Sequence, residues 1–490
     1  MRRSRRRGER EGRSRRACAA LVGLLLALPN QGTAATISLE EVISTVLERN
    51  LNIEKERQNI QRAEAQLQQA KGKFDWQVFA DAGVARKEVP DEINGLLSSD
   101  TTTDTIFGSQ FGVSKTFRNG IIVRPQVSIF RNASNDSAEV LSESVTGVGL
   151  AFLVPLLRGA GVGNAAAEEL AQRAALKASE LSTTFATQKL LQIAVRAYWR
   201  CVALKYSLDI QLANAQEIDR VSASVEQLVA RGQLPPLIGQ ELAADQALRR
   251  LEINRTREML FLAQRDLAAA LGTGSAGADA LPLPVGELPR LANLPNDGDA
   301  FFNMALANRS DLKSLEHLLE SEDIRLGEAK NSLLPRVDLV LEYDTLQLRY
   351  AQSLNANVEQ GRIGERTVAV HLAQLNLQLL RQAIGIDVQR VLGQMQLSDE
   401  NYRLAVETYW LLKRVADDKA RQVQLGTTNR GDHVSTLDKL ANAHRQVVDA
   451  NLQYAVGITD IRLITGTIAV NGERTAAELA ADFRTLPVLP

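Results

Sequence analysis

No proline interrupts the chain between Pro155 and Pro235, and from Ala165 to Ala230 the residues are mostly Ala, Leu, Gln, Glu, Lys and Arg, the strong helix formers. The simplest reading is one unbroken helix of about 65 residues, roughly 100 Å long. Asn164 stands where a cap would, and Glu168 and Glu169 place negative charge at the positive end of the helix dipole. Apolar residues return at spacings of three and four: Leu181 and Phe185; Ala194, Tyr198 and Val202; Leu208 and Leu212; Val221, Val225 and Leu228. That spacing buries one stripe along the whole rod. A rod this long needs partners of equal length.

The rod breaks at Arg231-Gly232-Gln233-Leu234-Pro235-Pro236, where glycine can end a helix and proline cannot continue one. A second helical run, residues 237–271, heads back, so the hairpin has unequal arms. The longer arm projects past the shorter and must find another neighbour, a first sign of a tube assembled from several chains. Aromatic residues are only 4% of the 490, which suits Ala- and Leu-rich helices packed side by side better than several conventional cores.

Between residues 76 and 155 the texture differs. Gln77 to Ala85, Thr105 to Thr116, Ile121 to Phe130 and Ser144 to Val154 alternate polar with apolar or small residues, and polar turns such as Asn119-Gly120 separate them. They read as four strands. Alternation of this kind fits a transmembrane barrel and fits a soluble β-hairpin cap equally. Before them, Ser38-Leu39-Glu40-Glu41 opens a helix with an acidic first turn.

The pattern then repeats. A shift of 259 lays Leu47 on Leu306, Ile53 on Leu312, Lys71 on Lys330 and Val78 on Val337; a shift of 194 lays Gly232 on Gly426 and Gly272 on Gly466. The chain reads as an internal duplication: a first repeat over 36–272, a linker over 273–299, a second repeat over 300–466 and a tail over 467–490. The second repeat is shorter where strands belong, with an extended stretch only over about 337–350. That leaves room for one strand or a stunted hairpin. Thr367-Val-Ala-Val-His-Leu is expected to be helical, which keeps the second long helix matched to the first.

Nine of the 57 basic residues and two of the 58 acidic ones precede residue 36, followed by an apolar run from Ala17 to Leu28 and Thr33-Ala34-Ala35. This is the layout of a secretory signal peptide over residues 1–35. Without it the charges stand at 48 against 56, a net of −8, which argues against nucleic acid as a partner. Cys201 then has no second cysteine to pair with. No window offers a membrane-spanning helix, so membrane insertion would require a closed β-barrel.

Nothing points to catalysis. There is no phosphate-binding Gly-x-x-x-x-Gly-Lys loop and no Gly-x-Ser-x-Gly elbow. His433 and His444 could share a helix face, but no further ligand completes a metal site with them or with His317 and His371, so no metal or cofactor is expected. Tyr198, Trp199, Tyr409 and Trp410 are expected to pack between helices.

Together, Ser38 to Glu41, the paired openings at Asn50 to Ile53 and Arg309-Ser310-Asp311-Leu312, Val154-Pro155-Leu156-Leu157-Arg158-Gly159-Ala160-Gly161 and the turns at Gly232 and Leu425-Gly426-Thr427 resemble the outer-membrane efflux protein (TolC-like) family. The resemblance covers nearly the whole chain after the leader. It implies a mainly α fold with a small β part, a long antiparallel α-helical barrel continuing into a transmembrane β-barrel. In that family three protomers, each giving four strands, close a twelve-stranded barrel. The implied function is an outer-membrane exit duct, a homotrimer in contact with outer-membrane lipid and docked on a periplasmic adaptor (membrane fusion protein) and an inner-membrane pump or ABC transporter, for efflux or type I secretion.

By position, Arg231, Gly232, Leu425, Gly426, Thr427 and Thr428 would form the adaptor-docking tips, and Pro155, Gly159 and Gly161 the strand-to-helix corner. Asp432 would belong to an acidic ring in the periplasmic gate, where like charges around one axis repel and attract cations; it could equally cap the returning helix after Gly431. The chain departs from the family at Ser435 in place of a further acid, at Ile238 beside Pro235-Pro236, and in the second strand pair, which lacks the Pro-Leu corner. The alternatives are a periplasmic coiled-coil scaffold and an assembly-impaired relative with a truncated second hairpin.

Overall fold

The proline-free stretch does form a single long helix, and a second one matches it. The computed structural model describes residues 36–489 apart from 94–95, 136–139, 273–282, 292–294, 296, 343–344, 426, 428–429 and 471–473. The leader expected over residues 1–35 lies outside the described residues. In chain order the elements are β1 (Thr36–Ile37), α1 (Leu39–Arg49), α2 (Leu51–Gly72), β2 (Trp76–Ile93), β3 (Leu96–Thr116), β4 (Ile122–Asn135), β5 (Val140–Pro155), α3 (Val162–Ala165), α4 (Ala167–Ala230), α5 (Pro236–Leu271), β6 (Leu283–Pro284), α6 (Gly298–Asn308), α7 (Ser310–Asn331), β7 (Arg336–Glu342), β8 (Thr345–Ala351), α8 (Asn357–Gln424), α9 (Arg430–Ile464) and α10 (Ala476–Asp482).

Helices α4 and α8, of 64 and 68 residues, run the length of a wall one helix thick. Across the half next to the strands the packing order is α2, α4, α7, α8; across the other half it is α5, α4, α9, α8. Helix α4 is therefore flanked on two sides, where the sequence suggested one buried stripe. Small residues make this possible. The Ser314 hydroxyl donates to the Ala178 carbonyl at 2.7 Å and the Ser321 hydroxyl to the Ala171 carbonyl at 2.9 Å, so α7 lies against the α4 backbone. On another side, the Thr183 hydroxyl donates to the Glu56 carbonyl of α2 at 3.3 Å.

The shorter helices meet end to end at two junctions of one construction. Gly272, with φ 75°, closes α5 against the start of α2: the Asn50 side-chain amide donates to the Ala270 carbonyl at 2.8 Å, and a Cβ on Gly272 would stand 3.3 Å from the Asn50 Cα. Gly466, with φ 66°, follows α9, and a Cβ there would be 2.8 Å from the Asn308 backbone. At this level a second layer of α1, α6 and α10 creates the only thick core among the described residues. Ile43, Leu191, Trp199, Leu267 and Phe483 fill one cluster, and Phe301, Ile384, Met395 and Tyr454 the other. The capping box of Ser38 and Glu41 starts α1 as its sequence implies.

Asn164 does not cap the long helix. It lies in α3, a single turn ahead of α4, and its side chain donates back to the Ala160 carbonyl at 2.9 Å; Ala166 occupies the cap position. The main sheet has six strands, the four expected in the first half and two from the second, where the resemblance implies four per protomer; their order is β2-β3-β4-β5-β7-β8, all antiparallel. The second half supplies a stunted hairpin of two seven-residue strands, and residues 367–372 are helical as expected. Strand β7 pairs only with Ala151–Pro155 of β5, at the end nearest the helices.

Ser321 is 1% exposed where α7 meets the α4 backbone. Ser321→Leu should therefore overpack the seam and lower unfolding free energy by about 1–3 kcal/mol, whereas Ser321→Ala should cost only about 1 kcal/mol for its hydrogen bond. Denaturant unfolding of the two variants checks the difference.

Candidate membrane wall and helix tips

Alternation along the strands sorts the sheet into two unlike faces. Register places Trp76, Val78, Ala80, Ala82 and Val84 of β2 on one face with Phe107, Phe111 and Val113 of β3, then Val123, Val127 and Ile129 of β4. Val148, Leu150, Phe152 and Val154 of β5 continue it, as do Leu339, Leu341, Leu346, Leu348 and Tyr350 of the stunted hairpin. These side chains look outward into open space; Val148 is 80% exposed and Val84 69%. The opposite face carries Gln77, Asp81, Gln110, Ser114, Arg124, Gln126, Gly147 and Gly149. Apolar exceptions there are Ile106, Phe130 and Val145 toward the outer end, and Phe79, which is covered by the Arg124 guanidinium 5.4 Å from its ring centre.

The apolar band has edges. Past Val84 the outward positions of β2 become Arg86 and Glu88, paired at 3.1 Å, and those of β4 and β5 become Arg131 and Ser144. From Trp76 to Val84 is about 26 Å along the strand, the order of the apolar belt of a tilted membrane strand. Trp76 and Tyr350 mark the margin nearest the helices, where amphipathic rings suit a membrane interface.

At the strand-to-helix corner, Pro155 ends β5 opposite Asp338, and Gly159 and Gly161 take φ of 78° and 84°, conformations that favour glycine. The Gly161 amide donates to the Asn119 carbonyl at 3.1 Å, and the Gly159 amide to the Asn331 side chain at 2.7 Å. The corner thus ties the β3–β4 turn to the end of α7. The second half has no such glycines: Ala356, with φ 45°, opens α8 instead.

Beneath the turn sits Glu169, whose side chain is 2% exposed. Arg118 donates to it through Nε at 2.6 Å and a terminal nitrogen at 3.2 Å, and Arg173 donates at 3.0 Å. The hydrogen bonds from Arg118 hold the Glu169 carboxyl below the usual carboxylate range despite burial. Sequence reasoning placed this acid at the helix dipole and missed its partner, 51 residues away.

At the far end, Arg231 caps α4 and Gly232 follows with φ 72°; both are exposed. Leu425 caps α8 and is 77% exposed, and Thr427 donates its amide to the Gln422 carbonyl at 3.0 Å. Gly426 and Thr428 lie outside the described residues. Asp432 is exposed and is the third residue of α9, inside the helix, so it does not cap it. Tyr198 and Trp199 are fully buried, with the Tyr198 hydroxyl on the Val285 carbonyl at 2.8 Å, whereas Trp410 is 53% exposed. Among the described residues no three His, Cys, Asp or Glu side chains are grouped to hold a metal ion, and no helix is long and apolar enough to cross a membrane.

The wall ends in two open edges. On α8, the side chains of Leu372, Leu379, Ile386, Leu397, Leu404 and Leu411, all about half exposed or more, follow heptad spacing with one eleven-residue step, on the side away from buried Val388 and Met395. On α5, Leu237, Leu248, Leu251 and Leu262 stand out similarly. Arg255 lies within the α5 stripe and Glu400 and Glu407 beside the α8 stripe; among the described residues none of the three is in an ion pair.

No family model matches the chain, and no curated protein does. Solved structures do. The outer membrane channel CmeC of Campylobacter jejuni is 14% identical, with a TM-score of 0.64 over 92% of this chain and 90% of that one. CusC, described in terms of transmembrane channel formation, is 15% identical with a TM-score of 0.65 over 87% and 92%. VceC, an outer membrane protein of Vibrio cholerae, is 14% identical with a TM-score of 0.62 over 87% and 96%.

A lowered carboxylate pKa stabilises the fold fully above the ordinary Glu value of about 4.3, and the contribution is lost as pH falls through the lowered one. The native protein should therefore lose more thermal stability between about pH 5 and pH 3 than Glu169→Gln, which removes the titrating group; melting curves across that range check it. The chain shares its fold with the outer membrane channel CmeC, with CusC and with the outer membrane protein VceC.

Proposed function

We propose that the chain is the subunit of an outer-membrane exit duct, closed as a homotrimer, that serves a tripartite efflux or type I secretion system. One observation carries this reading above the rest: a single antiparallel sheet offers lipid a bounded apolar face and the other side a mostly polar or small-residue one, and it continues into a helical wall with two open, apolar-striped edges. The sheet would sit in the outer membrane and the helices in the periplasm, delivered by the leader at residues 1–35. Transport is passive, carrying small molecules or proteins to the exterior with energy from the partner pump.

A periplasmic scaffold would leave that apolar face in water, far beyond the patch a soluble monomer tolerates. The α8 edge of one copy meets the α5 edge of the next. Counting residues from the two turns brings Arg255 level with Glu400 and Glu407, opposite charges on the two edges. The tips at Arg231, Gly232, Leu425, Gly426, Thr427 and Thr428 meet a periplasmic adaptor, itself held by an inner-membrane pump or ABC transporter. Asp432 from each copy lines the gate. The duplicated repeats give each copy two hairpins of helices.

Purified trimer in a planar bilayer should show discrete conductance steps, and Asp432→Asn should raise leak or reduce cation preference. A folded trimer without steps would refute the duct, and unchanged selectivity and leak would remove Asp432 from the gate.

Leu404→Asp with Leu411→Asp should leave helical content intact, since both side chains point away from the chain's own partners, yet shift the protein from trimer to monomer. Circular dichroism with light scattering tests the pair.

A further inference from the structure

The two hairpin systems of the sheet differ in height, and the difference sets the shape of the wall. Strands β2 to β5 are 18, 21, 14 and 16 residues long; β7 and β8 have seven each. Because β7 pairs with β5 only over Ala151–Pro155, the sheet is six strands wide near the helices and four strands wide further out. The β5 edge from Ser144 to Leu150 has no ladder partner on that side among the described residues, although Val148 and Leu150 belong to the apolar band. Open ladder edges are not tolerated in hydrocarbon.

Arc length decides how the inner level is used. Four helices side by side, about 8–10 Å apart, take up about 32–40 Å of circumference per copy. Six strands about 4.8 Å apart and tilted by about 40° take up about 38 Å, whereas four take up about 25 Å. At that tilt the six-stranded level falls within the span of the helical wall it joins and the four-stranded level falls short of it.

Resting on the duct reading above, the geometry points to a wall of two tiers, both closed by a second copy of this chain. In the inner tier β8 pairs with the helix-proximal part of the next copy's β2. In the outer tier that same β2 leans over the stunted hairpin and pairs with the exposed edge of β5. The duct then narrows outward, from six strands per copy to four. A second copy fits both edges: β2 ends the sheet on the side of α2 and α5, β8 ends it on the side of α8, and Arg255 and Glu400, in no ion pair among the described residues, put opposite charges on those same two sides. The β2 strand is long enough to serve both tiers, and Gly83, near the changeover, has open space around it for a bend.

Outward side chains at matching heights allow a cross-linking test in the full-length protein in membranes. Cys201 is fully buried, with its thiol pushed up to about 12 by burial, and will not compete. Three double variants are made: Val78→Cys with Tyr350→Cys for the inner tier, Val84→Cys with Val148→Cys for the outer tier, and Val78→Cys with Phe152→Cys for a wall that skips the hairpin. Mild oxidation should convert most of the first two into covalent oligomers on non-reducing gels and little or none of the third. All three change exposed or partly exposed side chains, and a heat-sensitive oligomer band before oxidation confirms assembly. Cross-linking of the third pair without the first would show the hairpin outside the wall and overturn the inner tier. An oligomer that links the first pair but not the second would overturn the outer tier. Monomers that link none would overturn the ring itself, and the tiers with it.

Discussion

A wall one helix thick has no interior, and this constraint governs the rest of the fold. Each long helix can bury itself only against lateral neighbours, so every helix needs companions along its full length. Helix α4 meets the demand with α2 and α5 stacked end to end on one side and α7 and α9 on the other. The close approach is bought with serines and alanines, as at Ser314 on Ala178 and Ser321 on Ala171. The largest buried side chains, Trp199, Tyr198, Tyr454 and Phe301, sit at mid-height, where α1, α6 and α10 thicken the wall. The stability of such a wall is spread thinly along its length and depends on what meets its edges.

The sheet would be free to hinge on the helices were it not for the corner. Its β3–β4 turn is held from below by Arg118 on buried Glu169 and from the side by the Gly161 amide on Asn119, while Gly159 reaches Asn331 at the end of α7. Arg158 adds a 3.6 Å contact to Glu359 in the first turn of α8. Four elements from both halves of the chain therefore converge within a few residues. The orientation of the outward apolar band relative to the helical wall follows from that knot of polar contacts, because the band itself supplies no inward packing.

Much of this was legible in the sequence. Helix length followed from composition and from the position of prolines, both local properties, and the first helical turn followed from Gly232. The stunted second hairpin followed from counting residues between matched positions. What stayed hidden was non-local. Glu169 looks like any acid in a first turn until Arg118 is brought over it. Asn164 has the chemistry of a cap, but the chain makes one more turn before α4 begins. The outer ends of the strands carry polar residues on both faces, so alternation fades there and their lengths were underestimated. The six-strand width is the sum of the four strands read in the first half and the stunted hairpin of the second, and it exceeds the four strands per protomer that the resemblance implies. The stripe from Leu372 to Leu411 could be seen as a heptad pattern, but periodicity does not say whether a stripe faces its own chain or another.

The sheet grows only by hairpins, and each hairpin contributes one ascending and one descending strand. Strand β2 and strand β8 consequently point in opposite directions, as do the edges of any version of this sheet with one hairpin more or fewer. An inserted or deleted hairpin leaves the polarity of the seam intact, so a lineage can change bore in steps of two strands per subunit without redesigning the contact between subunits. Single-strand changes would put parallel partners at the seam and are closed to it.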